Sequence, residues 1–214
     1  MRVRVGIKRI VRGLLELRKN MARFLPFYHQ YNAFVFNRRY KKGRAPWCEI
    51  SDGLCNWLWK LREEALALAP EGRILDIGCG DGKLTSGLST DSREVVGLDI
   101  STEAIARAKE HERQNLTFSV HNIERDPLGG GNGLIICGDV LYYIPFVSMR
   151  KVAKKLSDAL VDGGVLLVID YLPEYMEMRY YYRLLSRFLT PIRIEPITYS
   201  SESARFMIAL YRKH

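Results

Sequence analysis

The sequence predicts an α/β protein: a mostly parallel sheet, doubly wound with helices on both faces, behind a basic helical N-terminal extension. Three observations predict it. Short apolar runs alternate with amphipathic stretches through residues 71 to 170. Two of those runs, Arg73-Ile74-Leu75-Asp76-Ile77 and Glu94-Val95-Val96-Gly97-Leu98-Asp99, carry acids at or near their ends and enclose the turn Gly78-Cys79-Gly80-Asp81-Gly82. Positive charge gathers at one end: residues 1 to 44 hold thirteen Lys or Arg against the acid Glu16, while the other 170 residues carry twenty bases and twenty-three acids.

Taken in order, the extension comes first. Val3, Ile7, Ile10, Leu14, Leu17, Met21 and Phe24 recur at intervals of three and four, which predicts one apolar helical stripe. Arg2, Arg9, Arg12, Lys19 and Arg23 fall largely off it, and aromatics follow from Phe24 to Tyr40, ending in Arg38-Arg39-Tyr40-Lys41-Lys42. A basic amphipathic helix beside amphipathic aromatics suits an anionic membrane surface, where each basic residue contributes about 1 kcal/mol. A lid over a ligand cleft and a docking surface for nucleic acid are the alternatives. The segment is Arg-rich like a targeting presequence but lacks serine and a small-residue cleavage site, and charges interrupt every apolar run, which excludes a secretory signal. We divide the chain into an extension over residues 1–46 and a domain over residues 47–214.

The domain's first two strands, over residues 73–77 and 94–99, form a cleft for an adenosine-type ligand. The glycines admit a close backbone approach, and Asp99 is placed to accept hydrogen bonds from both ribose hydroxyls. The spacing Gly78-x-Gly80-x-Gly82 is one residue short of the dinucleotide fingerprint, and Asp76 would repel a pyrophosphate. It suits a cationic ammonium, such as the one on the methionine half of S-adenosylmethionine. Helices are expected over Lys83 to Leu88, Thr102 to Glu112 and Met149 to Leu160, with Ser101 as an N-cap and Glu103 in the first turn.

With Leu75-Asp76-Ile77-Gly78-Cys79-Gly80-Asp81-Gly82 and Asp99 in place, the chain resembles the class I S-adenosylmethionine-dependent methyltransferases. The likeness covers residues 71 to 170 well and is loose elsewhere. It implies a Rossmann-like, seven-stranded sheet whose last strand is antiparallel. Asn115 to Ile123 resembles the third strand and its turn, which implies Asn122 at the adenine amino group and the backbone of Ile123 at the ring. Gly133 to Ile144 resembles the fourth strand and the loop beneath the methyl group, with Gly138 at the cofactor. Val161 to Asp170 resembles the fifth. The implied cofactor set is Asp76, Gly78, Cys79, Gly80, Gly82, Asp99, Ile100, Asn122, Ile123 and Gly138. The loop Val140-Leu141-Tyr142-Tyr143 is similar to that of nodulation-type N-methyltransferases.

Methyl transfer from a sulfonium needs mostly positioning in a dry site, plus a group to take the acceptor's proton. Asp139 and Tyr142 are the candidate catalytic residues; Asp139 as a cap of the following turn is the alternative role. Tyr142 and Tyr143 are adjacent, so only one of them is expected to wall the pocket. His121 reads as a loop-packing residue before a base. Residues 171–190 read as a substrate-side insertion, with Arg179, Arg183 and Arg187 forming a basic stripe on a helix. Ile192 to Tyr199 and Ala204 to Tyr211 read as the closing strands. Cys48, Cys55, Cys79 and Cys137 show no C-x-x-C pairing and the four histidines are scattered, so no metal site is expected and reduced intracellular thiols are the default. The expected activity is methyl transfer to nitrogen or oxygen of a small or lipid-linked acceptor, in the cytoplasm and peripherally at the inner membrane face. Methylation of RNA or protein, and a non-catalytic binding subunit, are the rivals. The fourth strand lacks the Asn/Asp-Pro-Pro-aromatic signature of many amino-methylating enzymes acting on RNA bases, and nothing specifies an oligomeric state.

Overall fold

The computed structural model describes residues 28–43, 52–88, 92–171, 178–199 and 204–214. The stripe expected over residues 1–24 and the boundary at residue 46 lie outside them. Six helices and seven strands follow one another among the described residues: α1 (Tyr28–Lys41), α2 (Asp52–Leu68), β1 (Arg73–Ile77), α3 (Lys83–Ser86), β2 (Val95–Asp99), α4 (Thr102–Ala108), β3 (Leu116–Val120), β4 (Asn132–Gly138), α5 (Phe146–Ala159), β5 (Leu160–Tyr171), α6 (Arg179–Leu185), β6 (Thr190–Tyr199) and β7 (Ala204–Arg212).

The strands form one sheet in the order β3-β2-β1-β4-β5-β7-β6. The first five are parallel, and β7 runs antiparallel to both β5 and β6. This is the expected mixed sheet with a reversed last strand. The central strands are largely apolar because both faces are covered. On one face Leu75, Ile77, Ile135, Cys137, Leu166 and Val168 pack against Met149, Val152 and Leu156 of α5 and Tyr181 of α6. On the other, Ile74, Leu134, Ile136, Leu167 and Ile169 pack against Leu54, Leu58, Leu61 and Ala65 of α2, at about 2 kcal/mol for each leucine buried.

Winding reverses between β1 and β4, which pair with each other while their onward connections run to opposite sides. Loops leaving two such strands part from one another, so a crevice opens at their C-terminal ends. Ser101 caps α4 as expected, its hydroxyl accepting from Ala104 N at 3.1 Å. The basic stripe is shorter than expected: α6 ends at Leu185, so Arg187 falls in the turn after it.

Candidate active site

The chain leaving β1 turns sharply at Gly78 and Gly80, with φ of 82° and 58°. Gly78 N and Cys79 N both donate to Leu98 O, at 2.7 and 3.1 Å, which ties the turn to β2. A side chain at Gly78 would meet Val140 and come within 2.8 Å of Gly138 O, while one at Gly80 would meet the Tyr40 hydroxyl at 2.7 Å. Gly82 packs the end of the turn against β3 and α4. Its φ of 78° starts α3, and the space a side chain would need is filled by the Phe118 ring and the Ala108 methyl. It does not line either cavity described below.

Two cavities meet at this turn. The first runs from Asp99, Ile100, Asn122 and Ile123 to Asp139, Val140 and Tyr143, roofed by His29, Asn32, Phe36 and Tyr40 of α1. The second is bounded by Arg62, Asp76, Cys79 and Asp81. Tyr40, Gly78, Gly80, Gly138 and Asp139 belong to both walls. The structure thus gathers every expected cofactor residue except Gly82.

Asp99 is held by two backbone donors, Gly80 N on Oδ2 at 3.0 Å and Ser101 N on Oδ1 at 2.8 Å. Burial pushes its carboxyl up to about 6, against the pull of those two bonds. Each oxygen keeps a lone-pair position for a ligand hydroxyl. Asn122 Oδ1 accepts from Glu124 N at 2.9 Å, which fixes the turn after β3. His121 beside it has an unpartnered buried Nε2 and a pKa lowered by burial. It follows β3, three strand spacings from β4 and so about 14 Å from Asp139, and does not serve the Asp139 end.

The second cavity pairs a buried anion with a buried cation. Asp76 accepts from Thr85 Oγ1 at 2.6 Å on Oδ2, while its Oδ1 has no partner among the described residues. Burial raises its pKa and the charge of Arg62 opposes the rise. Arg62, 5% exposed, donates from Nη1 to Leu58 O at 3.2 Å and leaves Nε unpartnered. Burial lowers its pKa, with Asp76 and Asp139 holding it up. Buried polar atoms without partners are costly, and an orphan acceptor and an orphan donor in one cavity fit a zwitterion. S-adenosylmethionine carries one on its methionine half: the ammonium suits Asp76, the carboxylate suits Arg62, and the ribose suits Asp99. Among the described residues no group of side chains could hold a metal ion.

Asp139 stands where the two cavities meet, in the left-handed region with φ of 55°. Its N donates to Ile169 O at 2.7 Å; its Oδ1 accepts from Tyr171 N at 2.7 Å and from the Tyr142 hydroxyl at 3.0 Å. Both side-chain bonds fall on Oδ1, which leaves Oδ2 for a ligand. Burial pushes the carboxyl up to about 6, offset by Tyr171, Tyr142 and the charge of Arg62. Tyr142 is not a wall of the cleft: it is 7% exposed and buried in the core, and Tyr143 lines the cavity instead. The two rings touch, with centroids 4.5 Å apart, so Tyr142 packs behind the cavity wall that Tyr143 provides. Tyr142 reaches the cleft only through its hydrogen bond to Asp139.

Helix α1 closes the cleft from above. Asn37 Oδ1 accepts from the Ser101 hydroxyl at 2.7 Å and Glu103 N at 3.3 Å, and Lys41 pairs with Glu103 at 3.2 Å. Across the cleft, Asn32 Nδ2 donates to Tyr143 O at 3.3 Å and the Phe36 ring meets Tyr143 edge-on at 5.1 Å. The lid alternative for the extension therefore holds for residues 28–41.

Comparison with known proteins agrees with this geometry. A family model described as a methyltransferase domain matches residues 51–203, and the chain belongs to the class I S-adenosylmethionine-dependent methyltransferases. Nodulation protein S of Azorhizobium caulinodans is 34% identical over 106 residues, 47% of this chain and 50% of the relative. An uncharacterized methyltransferase of Synechocystis is 31% identical over 108 residues, 50% of each chain. The chain thus spans about half the length of these curated relatives. Among solved structures, N-methyltransferase NodS from Bradyrhizobium japonicum in complex with S-adenosyl-L-homocysteine matches with a TM-score of 0.69 at 18% identity, covering 83% of this chain and 98% of that one. Geranyl diphosphate C-methyltransferase from Streptomyces coelicolor matches with a TM-score of 0.69 at 15% identity, covering 89% and 99%. At such identities these two show the fold.

Proposed function

We propose that the chain methylates nitrogen or oxygen of a small or lipid-linked acceptor. The observation that carries this reading is Asp139, whose unengaged Oδ2 stands where the zwitterion cavity meets the aromatic one. S-adenosylmethionine, when bound, supplies an electrophilic methyl group on a sulfonium. Asp76, Arg62 and Asp99 fix its two ends, and α1 excludes water from above. Phe36 and Tyr143 present aromatic surface to the acceptor. Asp139 takes the proton that the acceptor's N–H or O–H gives up as the new bond to carbon forms. A carboxylate with a pKa near 6 is ionised at neutral pH, so it can accept a hydrogen bond from the attacking N–H or O–H and stabilise the positive charge that develops there as the bond to carbon forms.

A small acceptor is supported by one relative, a ubiquinone biosynthesis O-methyltransferase of Psychrobacter cryohalolentis that is 27% identical over 154 residues. We assign the protein to the cytoplasm, at the inner membrane face, with residues 1–44 making the contact. The unpaired Cys55, Cys79 and Cys137 and the surplus of bases over acids in that segment support it. The test is transfer of labelled methyl to lipid extracts and small amines. Label should enter one acceptor class and fall by ~100-fold or more with Asp139→Asn, the scale of general-base catalysis. Cofactor binding without transfer to any acceptor would make the protein a binding subunit instead.

A further inference from the structure

Helix α1 has two faces with different chemistry. Asn32, Phe36, Asn37 and Tyr40 turn inward onto the cleft and α4. Outward stand Tyr31, 55% exposed, and Phe34, 63% exposed, followed by exposed Arg38, Arg39 and Lys42. Residues 28 to 43 contain no acid. Positions 31, 34, 38 and 42 are spaced by three and four, aromatic at one end and basic at the other. The opposite rim repeats the pattern. Phe146 and Val147, at the start of α5, are 44% and 76% exposed, and Phe146 stacks on Tyr180 with centroids 3.6 Å apart. Arg150, Arg179 and Arg183 are exposed on the same two helices. The bond from Asn32 to Tyr143 O, three residues before Phe146, brings the two rims together at the mouth of the cleft. The acids Asp158 and Asp162 lie at the far end of α5 and the start of β5, away from Phe146 and Val147.

From this arrangement we infer that the rim around the cleft mouth, formed by the outer face of α1 and the start of α5, docks on an anionic lipid bilayer. Exposed Phe34 and Val147 match the apolar layer beneath the headgroups, and the flanking guanidinium and ammonium groups match the headgroup phosphates. Phosphates of a nucleic acid would engage the cations but leave the aliphatic Val147 without a partner. Docked in this way, the lid is pressed between bilayer and cleft, and a lipid-linked acceptor enters from the membrane side. This deepens the proposed function and rests on its lipid-linked branch.

The experiment is sedimentation of the full chain with vesicles of phosphatidylglycerol and phosphatidylcholine, or of phosphatidylcholine alone, beside calorimetric titration with S-adenosylmethionine. Two variants are compared with the wild type: Phe34→Ser/Val147→Ser and Arg38→Glu/Lys42→Glu. The wild type should bind anionic vesicles, more weakly at high salt. Each variant should lose at least tenfold in vesicle affinity while keeping its cofactor affinity within twofold. Wild-type vesicle binding by both variants would overturn the inference, as would no binding by the wild type. Binding to an RNA oligonucleotide that exceeds binding to vesicles would overturn it too. Loss of cofactor binding with vesicle docking intact would count against the methyltransferase reading alone.

Discussion

Replacing Asp99 with asparagine keeps the shape of the side chain and removes its charge. In the wild type Asp99 accepts from Gly80 N at 3.0 Å and Ser101 N at 2.8 Å. A carboxylate offers about four lone-pair positions, so two remain for the hydroxyls of a ribose. Asparagine offers one oxygen, and its NH2 group opposes whichever backbone N–H it faces. Every orientation sacrifices one backbone bond and replaces a charged acceptor facing the ribose with a neutral group. Hydrogen bonds to a charged group contribute about 1.5–3 kcal/mol, so the loss in cofactor affinity is about 2–3 kcal/mol, or ~30- to 150-fold. The free protein should feel the change far less. The burial that pushes the Asp99 carboxyl up to about 6 is a cost of holding a charge there, and asparagine does not incur it. The assay is calorimetric titration of wild type and Asp99→Asn with S-adenosylmethionine and S-adenosyl-L-homocysteine, beside thermal melts. An affinity within threefold of wild type and an unchanged melt would refute the assignment of the ribose to Asp99.

Acid should act in opposite directions on binding and on the fold. Cofactor affinity should fall about tenfold from pH 7.5 to 5, as Asp99 protonates one unit below its pKa of about 6. Asp99 and Asp139 ionise near pH 4 when unfolded, so between about pH 4 and 6 the folded chain holds protons that the unfolded chain has released. Their contribution to stability therefore declines as pH rises through that window, and the ligand-free protein should melt higher at pH 5 than at pH 7; a lower melt at pH 5 contradicts this. Gly78→Ala places a methyl group within 2.8 Å of Gly138 O at a φ of 82°, which costs about 1–3 kcal/mol. Melting should drop several degrees and cofactor titration should show more than tenfold weaker binding, whereas Gly82→Ala, which displaces Phe118, should lower the melt and spare most of the affinity. Tyr142→Phe deletes the hydroxyl bond that holds the Asp139 pKa down. The acid limb of the methyl-transfer profile should move up by about one unit with cofactor affinity unchanged; an unmoved limb would remove Tyr142 from the mechanism.

The cofactor turn is legible in the sequence because its chemistry is local. Asp76, the glycines and Asp99 sit at strand ends that apolar runs announce, and the intervening residues only return the chain. Arg62 is a different case. Its partners are fourteen and more residues away, and beside Glu63 and Glu64 it reads as a surface cation. One signal was present: Leu54, Leu58, Leu61 and Ala65 form the buried stripe of α2, and Arg62 falls on that stripe, four residues after Leu58. A charge on an apolar helical face is exposed to suspicion for a physical reason, since it needs a buried partner. Tyr142 and Tyr143 could not be told apart because a single tight turn decides which ring faces the cleft. The inward face of α1 was equally hidden: Asn32, Phe36 and Tyr40 are four apart, but only the folded cleft distinguishes a lid from an amphipathic surface helix.

The pairing of β1 with β4 has a consequence for how the protein comes to be. The cleft lies between those two strands, and Arg73 of one reaches Asn132 of the other across fifty-nine residues of chain. Everything between them, including β2, β3 and α4, must be accommodated within that loop before the crevice exists. Closing a loop of this length and aligning parallel strands are slow steps. A partly folded chain that has only its local helices and the β1–β2 pair holds Asp99 but no opposing wall of Gly138 and Asp139. Acquisition of cofactor binding during refolding is therefore a clock for the formation of long-range sheet order, and the ligand stabilises the finished protein without favouring its intermediates.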